Sequence, residues 1–317
     1  MKLERPHSQD GIVLTMAGTN DAQVRRVLVR DRATGEIHDE GATDSGAMHF
    51  LYSTPLGRLA LNACLARPWF SSLAGRACDT SFSSRFVDGF AQKNGIDTST
   101  WGGPSSFTSF NEFFARKRST STDAQPDELV AIADSRLSAY PITPDLQVTI
   151  KGSPYTLAEL TGNCPELERF TEGTALVFRL GVDNYHRFVH VDDGRVLARA
   201  TIPGVLRTVR PIDDNEGVYR RNTRAVTVMQ TEHCGRILYI EVGATLVARI
   251  VDEGASEFKR LDEKGHFEFG GSTVILLLGS HIQVDNDILK ASAENIETHV
   301  VIGEKIGVIA SAPPRIH

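Results

Sequence analysis

Short apolar runs, rich in β-branched residues and separated by turn residues, fill the chain after Pro126. Runs of this length and composition are typical of β-strands, and glycine-containing turns between them favour antiparallel neighbours. The turns include Asp193-Gly194, Pro203-Gly204 and Cys234-Gly235. The predicted strands cover residues 129–133, 148–151, 175–180, 188–191, 225–229, 236–242 and 274–278. Within this part of the chain, short helices are predicted only at residues 156–160 and 287–293.

The first third of the chain differs from this β-rich part in the spacing of its apolar residues. Residues 1–45 form a polar lead-in with a predicted hairpin, in which the apolar residues 27–29 are followed by a turn at residues 33–36. From about residue 48 to residue 117 the apolar residues instead recur at spacings of three and four. This spacing is typical of helices that bury one face.

Two helices are predicted in detail within this front region. One contains Phe82, Phe86 and Phe90 and ends at a stop signal, Asn94-Gly95, and a shorter one surrounds Phe110–Phe114. The sequence therefore predicts an α+β fold, with a helical N-terminal region followed by a β-rich, mostly antiparallel body. The predicted division places the lead-in and helices in residues 1–120 and the β-rich body in residues 121–317.

Charge and cysteine usage exclude several classes of protein. The 317 residues include 34 Lys and Arg against 40 Asp and Glu, a net charge of −6 that excludes a strongly basic nucleic-acid binder. The four cysteines, Cys64, Cys78, Cys164 and Cys234, lack the paired close spacing of a zinc site and the density of a disulfide scaffold. We therefore expect no metal and a reducing compartment.

The length of the apolar stretches indicates how the protein could contact a membrane. The start of the chain carries no apolar stretch of signal-peptide length, and no stretch approaches the ~20 apolar residues that span a bilayer. We expect a cytoplasmic protein that is soluble or at most peripheral on a membrane. Residues 50–73, which contain Trp69 and Phe70, could lie on a membrane surface, although an ordinary buried helix pair is the favoured interpretation.

One glycine and hydroxyl motif stands out among the polar residues. Phe269-Gly270-Gly271-Ser272-Thr273 leads directly into the apolar run of residues 274–278. Glycine lacks a Cβ, so the Ser272 hydroxyl could reach the carbonyl carbon of Gly271. The alternative is a glycine turn followed by a strand whose first hydroxyls face water, and on this string alone that alternative is favoured.

A histidine and an acid complete a candidate nucleophilic centre. His186 lies among aromatic and charged residues in a predicted strand region, where it could act as a base near neutral pH. Asp134 is predicted at the end of an apolar strand. Their alternatives are a packed core histidine and a turn-capping aspartate. Together with Ser272 they supply a nucleophile, a base and an orienting carboxylate.

Nine segments of the chain, in order, resemble the phosphatidylserine decarboxylase family, whose members are pyruvoyl-dependent and mature by cutting themselves. The segments are residues 51–58, 93–97, 107–116, 133–137, 185–188, 241–245, 262–265, 269–273 and 296–298. The resemblance implies self-cleavage between Gly271 and Ser272, conversion of Ser272 to a pyruvoyl group, and roles for Asp134 and His186 as the acid and base of that step. Cleavage would release a fragment of 46 residues headed by the pyruvoyl group.

The resemblance also implies conversion of phosphatidylserine to phosphatidylethanolamine and carbon dioxide. The pyruvoyl ketone would take up the electrons released as carbon dioxide leaves. The front region, with Trp69, Phe70 and the aromatic residues between Phe107 and Phe114, is the expected place of contact with lipid. No nucleic-acid partner is expected, and a homodimer is left open.

Two departures from the family pattern keep other functions open. Many relatives carry a second histidine where this chain has Val189, and His190 follows one residue later. Arg249 stands where relatives have small residues; it could pair with a substrate carboxylate or phosphate, although a solvated surface charge is favoured. The first alternative is a family member that decarboxylates a soluble, for example aromatic, amino acid. The second is a non-catalytic membrane-surface module with the family fold.

Overall fold

The computed structural model describes residues 27–40, 76–150, 153–202, 223–243, 250–268 and 272–310. Strands dominate these residues. The strands are β1 Leu28–Asp31, β2 Ile37–Asp39, β3 Glu128–Val130, β4 Ser135–Pro141, β5 Gln147–Ile150, β6 Ser153–Thr156, β7 Thr174–Leu180, β8 Arg187–Val189, β9 Gly194–Ile202, β10 Arg224–Thr231, β11 Arg236–Val242, β12 Ile250–Asp252, β13 Glu257–Phe258, β14 Glu263–Phe267, β15 Ser272–Leu278, β16 Ile282–Val284, β17 Glu297–Val300 and β18 Lys305–Ile309.

The helices of the described residues are short. The α-helices are α1 Val87–Lys93, α2 Phe110–Phe114, α3 Leu157–Thr161 and α4 Asn286–Ala293. The 3-10 helices are Ser81–Phe86, Ser99–Trp101, Pro104–Ser106 and Pro165–Phe170.

A ten-stranded sheet forms the centre of the fold. Its strand order is β13-β9-β10-β11-β15-β7-β4-β17-β1-β2, and β1 with β17 is its one parallel pair among the residues described. Three smaller sheets have the orders β12-β14-β8, β16-β18-β3 and β5-β6. The prediction of an α+β fold with a mostly antiparallel body is therefore confirmed.

Strand β15 lies in the middle of this sheet because it is apolar on both faces. All seven of its residues are buried. Val274, Leu276 and Leu278 pack in one core cluster, and Ile275 and Leu277 pack in the cluster on the opposite face. A strand that is covered on both sides loses the polar alternation of a half-exposed strand. The fold thus buries the beginning of β15, where Ser272 lies, well inside the protein.

The predicted hairpin near the start of the chain is present. Strands β1 and β2 pair with Arg30 opposite Ile37, and the intervening turn contains Gly35 at a positive φ of 75°. Strand β1 also pairs with β17, so this hairpin extends the main sheet.

The front region contains brief helical segments. Helix α1 ends at Lys93, just before the predicted stop at Asn94-Gly95, and Gly95 has a φ of 65°. Helix α2 begins after Ser109, whose side chain accepts a hydrogen bond from the Glu112 backbone N–H. The predicted helical residues 48–75 lie outside the described residues.

Candidate active site

The strand register brings the beginnings of β15 and β4 to the same end of the central sheet. Ser272 of β15 is opposite Leu180 of β7, and Arg179 of β7 is opposite Arg136 of β4. Strand β7 therefore lies between Ser272 on one side and the residues that follow Asp134 on the other. Neighbouring strands are about 4.8 Å apart, so the backbones at Ser272 and at the start of β4 are separated by about 10 Å.

Ser272 is fully buried, with 0% of its surface exposed. Its hydroxyl has no hydrogen-bond partner among the residues that the structure describes. A buried hydroxyl without a partner is unfavourable by about 1–3 kcal/mol. This is unlike the predicted alternative, in which the first hydroxyls of the strand face water. Gly271, the other residue of the predicted cleavage site, lies outside the described residues.

His186 immediately precedes β8 and is also fully buried. Its Nδ1 lies 2.9 Å from the backbone oxygen of Asn184. A carbonyl oxygen only accepts hydrogen bonds, so Nδ1 carries the proton in the neutral ring and Nε2 keeps a lone pair. The ring centroid lies 3.9 Å from that of Phe114 in helix α2. Burial, the Asn184 carbonyl and Phe114 together fix the orientation of this imidazole.

The backbone of His186 connects it to the strand before the predicted cleavage site. Its carbonyl oxygen accepts a hydrogen bond of 2.9 Å from the N–H of Phe267, the last residue of β14. In the next residues along β8, the N–H of Val189 donates to the carbonyl oxygen of Ile132, two residues before Asp134, at 3.0 Å. Strand β8 therefore borders the backbone segments that lead to both Asp134 and Ser272.

Asp134 lies between β3 and β4, not at the end of a strand as expected, because β3 already ends at Val130. It is 8% exposed. Its Oδ1 accepts a hydrogen bond of 2.6 Å from Arg118 Nη2 and one of 2.9 Å from the Ile302 N–H. Within the described part of the chain, the hydrogen bonds of Asp134 thus go to these two residues. Its predicted role as an acid of the site stays a prediction.

Arg118 is a member of this site that sequence reasoning missed. Besides its ion pair with Asp134, its guanidinium carbon lies 4.5 Å from the centre of the Tyr185 ring. Its backbone N–H also donates a hydrogen bond of 3.1 Å to the Tyr185 hydroxyl. Arg118 therefore connects the acid of the site to the residue that precedes His186. No spacing or motif in the sequence signals this contact across 67 residues.

His190, which follows the Val189 position of the second histidine of relatives, occupies a separate environment. It is 2% exposed, and its ring stacks on Phe258 with centroids 3.6 Å apart. Burial, assisted by the positive charge of Lys264, lowers the pKa of His190 to about 3. His190 is therefore neutral near pH 7. Arg249 lies outside the described residues.

Glu253, Glu263 and His266 form a group that could in principle hold a metal ion, since their ligand atoms lie within 4.8 Å of one another. One carboxylate oxygen of Glu263 is already paired with the guanidinium of Arg187, and the other lies 3.7 Å from Lys117 Nζ. These ion pairs account for the position of Glu263 without a metal.

Comparison with known proteins identifies the family of this chain. A family model described as phosphatidylserine decarboxylase matches residues 108–308. The chain belongs to the phosphatidylserine decarboxylase family. The resemblance seen in the sequence motifs is thus confirmed.

Curated relatives in this family match most of the chain. Phosphatidylserine decarboxylase proenzyme 2 of Clostridium acetobutylicum is 38% identical over 286 residues, which cover 89% of this chain and 98% of the relative. The proenzymes of Ruminiclostridium cellulolyticum and Clostridium novyi are 34% and 36% identical, over 89% and 86% of this chain and 97% and 96% of the relatives. Among the described residues, no helix has the length and apolar character needed to cross a bilayer.

Proposed function

We propose that this protein is a proenzyme that cuts its own chain between Gly271 and Ser272 and then decarboxylates phosphatidylserine to phosphatidylethanolamine. The observation that carries this proposal is the fully buried Ser272 hydroxyl without a described partner, at the start of a central strand. Membership of the family, and the naming of its curated relatives as proenzymes, support both parts of the proposal.

In the proposed maturation, His186 Nε2 takes the proton of the Ser272 hydroxyl. The Ser272 Oγ attacks the carbonyl carbon of Gly271, and the peptide C–N bond breaks as the ester C–O bond forms, while His186 passes its proton to the departing nitrogen of Ser272. Removal of the Ser272 α-proton then breaks the bond between Cβ and Oγ, which releases the Gly271 carboxylate and leaves a dehydroalanine. Addition of water and loss of ammonia convert this residue to the ketone of a pyruvoyl group.

The surroundings of Ser272 fit such a group. The side chain lies in a fully buried position, and its one polar atom makes no described hydrogen bond that would have to be broken. The pyruvoyl ketone would supply an acceptor for the electron pair released when the substrate carboxylate leaves. The protein around it excludes water, which strengthens the electrostatic interactions within the site.

The two products of cleavage are expected to stay together. Strand β15 pairs with β7 through seven residue pairs and with β11 through five. Its residues from Val274 to Leu278 are all buried, so separation would expose them to water. We therefore expect a tightly associated pair of fragments of 271 and 46 residues.

Intact-mass spectrometry of the Ser272→Ala variant tests the maturation. We expect one uncut chain of 34.7 kDa from this variant and two fragments from the wild type. Ser135→Ala is a matched control, because Ser135 is equally buried at the start of β4 but its hydroxyl donates to the Ala133 carbonyl oxygen. Two fragments from Ser272→Ala, or one intact chain from the wild type, would contradict the proposal.

The substrate is tested with the mature protein. Carbon dioxide release is measured with phosphatidylserine vesicles and, separately, with free amino acids, including aromatic ones. We expect release from the lipid alone. Release from a free amino acid without release from the lipid would reject the lipid substrate and leave the maturation intact.

We further propose that the mature enzyme meets the membrane through an apolar groove in its front region. The groove has a volume of about 800 Å³ and is lined mainly by apolar side chains. Arg85 and Lys93 also line it. Phe82 and Phe86 are 60% and 56% exposed. Exposed aromatic side chains with neighbouring cations suit an anionic lipid surface.

This proposed membrane-contacting surface differs from the one expected from the sequence. Phe107, Phe110, Phe113 and Phe114 were expected to contact lipid, but all four are buried in an aromatic cluster and at most 7% exposed. Trp69 and Phe70 lie outside the described residues. The buried cluster instead connects the groove to the site, because Phe110 lines the groove and stacks on Phe114, which contacts His186.

Co-sedimentation with phosphatidylserine vesicles tests the membrane surface. The double variant Phe82→Ser with Phe86→Ser is expected to lose most of its vesicle binding while it still cuts itself. Leu197→Ser is the control, since Leu197 is 42% exposed on β9, outside the groove. Equal loss of binding in the control would reject the groove as the contact surface.

A further inference from the structure

A buried group of charged residues lies next to the Ser272 strand. Lys264 of β14 donates to Glu241 Oε1, and it donates to Asp252 Oδ2 over 2.9 Å. Lys264 and Glu241 are each 1% exposed. The Lys264 ammonium also lies 4.9 Å from the centre of the Tyr239 ring. Charged side chains this deeply buried are rare unless they are paired.

The strand register places the Glu241 side chain on the same sheet face as Ser272. Glu241 of β11 is directly opposite Val274 of β15. Side chains two residues apart along a strand point to the same face, so Ser272 and Val274 share one. Glu241 and Ser272 are therefore diagonal neighbours on adjacent strands, a relation in which side chains are about 7 Å apart.

The position beside Ser272 on β11 carries no side chain. Continuation of the register places Gly243 opposite Ser272. The described atoms nearest to a Cβ built at Gly243 are the Thr223 carbonyl oxygen at 3.5 Å and Ile250 Cδ1 at 3.8 Å, which is ordinary contact. Because Gly243 has no side chain, this position of the chain places nothing between the side chains of Glu241 and Ser272.

The two oxygens of the Glu241 carboxylate differ in their hydrogen bonding. Oε1 is bonded to Lys264, whereas Oε2 is buried and has no hydrogen-bond partner among the described residues. Asp252 differs, because Lys264 and Arg199 both pair with it. Burial raises the pKa of Glu241, and the opposing charge of Lys264 does not fully compensate. A second cation at Oε2 would stabilise the ionised carboxylate.

We propose that the Glu241 carboxylate, through Oε2, binds the ammonium group of the substrate beside Ser272. Lys264 is a positioning residue, which holds the carboxylate through Oε1 and leaves Oε2 for the substrate. This inference rests on the proposed decarboxylase function, whose substrate and product both carry an ammonium group. If the ion pair served stability alone, its removal would not change which head groups the protein binds.

The test compares two soluble head-group probes with the mature protein by calorimetry. Glycerophospho-N,N-dimethylethanolamine carries a tertiary ammonium that cannot condense with a ketone as a primary amine does. Glycerophosphoethylene glycol carries a hydroxyl in its place. We expect the wild type to prefer the ammonium probe by on the order of 10- to 100-fold, the usual effect of a hydrogen bond to a charged group.

The Glu241→Gln variant is expected to lose this preference, because the amide keeps its hydrogen-bonding capacity but not its charge. Asp252→Asn is the matched control, since it removes the other carboxylate bonded to Lys264, and it is expected to keep the preference. Intact mass verifies that each variant has matured.

Three outcomes overturn the proposal. They are equal affinity of the wild type for both probes, a preference that survives in Glu241→Gln, and an equal loss in Asp252→Asn. The wild-type comparison decides even where a variant fails to mature. Carbon dioxide release from phosphatidylserine vesicles by the same wild-type preparation tests the proposed function separately.

Discussion

The two ends of strand β8 carry histidines in similar packing but with different partners. His186 and His190 are both buried, and each ring contacts a phenylalanine, with centroids 3.9 Å apart for His186 and Phe114, which are tilted, and 3.6 Å apart for His190 and Phe258, which are stacked. Only His186 has a described acceptor for its Nδ1 proton, the Asn184 carbonyl. His190 Nδ1 has no hydrogen-bond partner among the described residues.

Burial and ring contact are common to both histidines, so this difference in Nδ1 partners is what favours His186 as the predicted base. The Asn184 carbonyl fixes the proton of His186 on one nitrogen and leaves the other able to accept a proton. The Nδ1 of His190 has no such acceptor in the described part of the chain, and the positive charge of Lys264 further disfavours the protonated ring. Residues of the same type, four positions apart, are therefore expected to differ in function.

The largest expected effect is the loss of self-cleavage in His186→Ala. Removal of a general base slows a reaction by about 10²- to 10⁴-fold, so the half-life of the uncut chain should rise by the same factor. His190→Phe is the control, and it is expected to cut at the wild-type rate. The rates are measured by intact mass during a time course. Normal cutting in His186→Ala would assign the base to another residue.

A smaller loss is expected in Asp134→Asn. The amide can still accept from the Ile302 N–H, but it loses the ion pair with Arg118. Because the described contacts connect the carboxylate to His186 through Arg118 and Tyr185, we expect cleavage to slow by about 10-fold, less than for the loss of the base itself. Arg118→Met removes the same ion pair from the other side and should slow cleavage equally. A block as complete as in Ser272→Ala would indicate direct contact of Asp134 with the reacting groups.

The pH dependence of stability tests the environment of His190. The pKa of His190 is lowered from 6.5 to about 3 in the folded protein, so the unfolded chain binds this proton first as the pH falls. Its stabilising contribution is present above pH 6.5 and is lost as the pH falls toward 3, by about 1.4 kcal/mol per pH unit.

This loss is measured on the uncut Ser272→Ala background, in which unfolding involves a single chain. Adding His190→Phe should make the Tm fall less steeply between pH 6.5 and pH 4.5. His38→Gln, at a histidine whose side chain is 54% exposed, provides the comparison. Parallel pH profiles with and without His190→Phe would contradict the assignment.

The smallest effect is expected from Phe114→Leu, which removes the ring against His186. Aromatic contacts contribute about 0.5–1.5 kcal/mol, so cleavage should slow by roughly 2- to 10-fold. Phe107→Leu is the control, because Phe107 packs on Phe113 in the same cluster, with ring centroids 5.3 Å apart. An equal rate loss in both variants would attribute the effect to the stability of the cluster.

Several strands could not have been predicted from local sequence. Strands β4, β9 and β14 contain arginine, lysine or glutamate at positions where an apolar pattern would be needed to recognise them. They form because their backbones complete the sheets, and partners distant in sequence neutralise their charges. Arg136 of β4, for example, pairs with Glu40 and Asp183. Strands β11 and β15 were predicted correctly or nearly so because their apolar runs are buried on both faces.

The sequence by itself determined the β-rich antiparallel body and the family, and it predicted three residues for the chemistry, Asp134, His186 and Ser272. Composition and ordered motifs suffice for these because they depend on local residue types. Only the tertiary structure decided which groups lie beside them. The Asn184 carbonyl and Phe114 contact His186, Arg118 contacts Asp134, and Glu241 shares a sheet face with Ser272. Except for Asn184, these partners are separated in sequence by 16 residues or more, and strand register and packing bring them together. Local sequence preferences do not encode such pairings, because each depends on the position of two backbone segments at once.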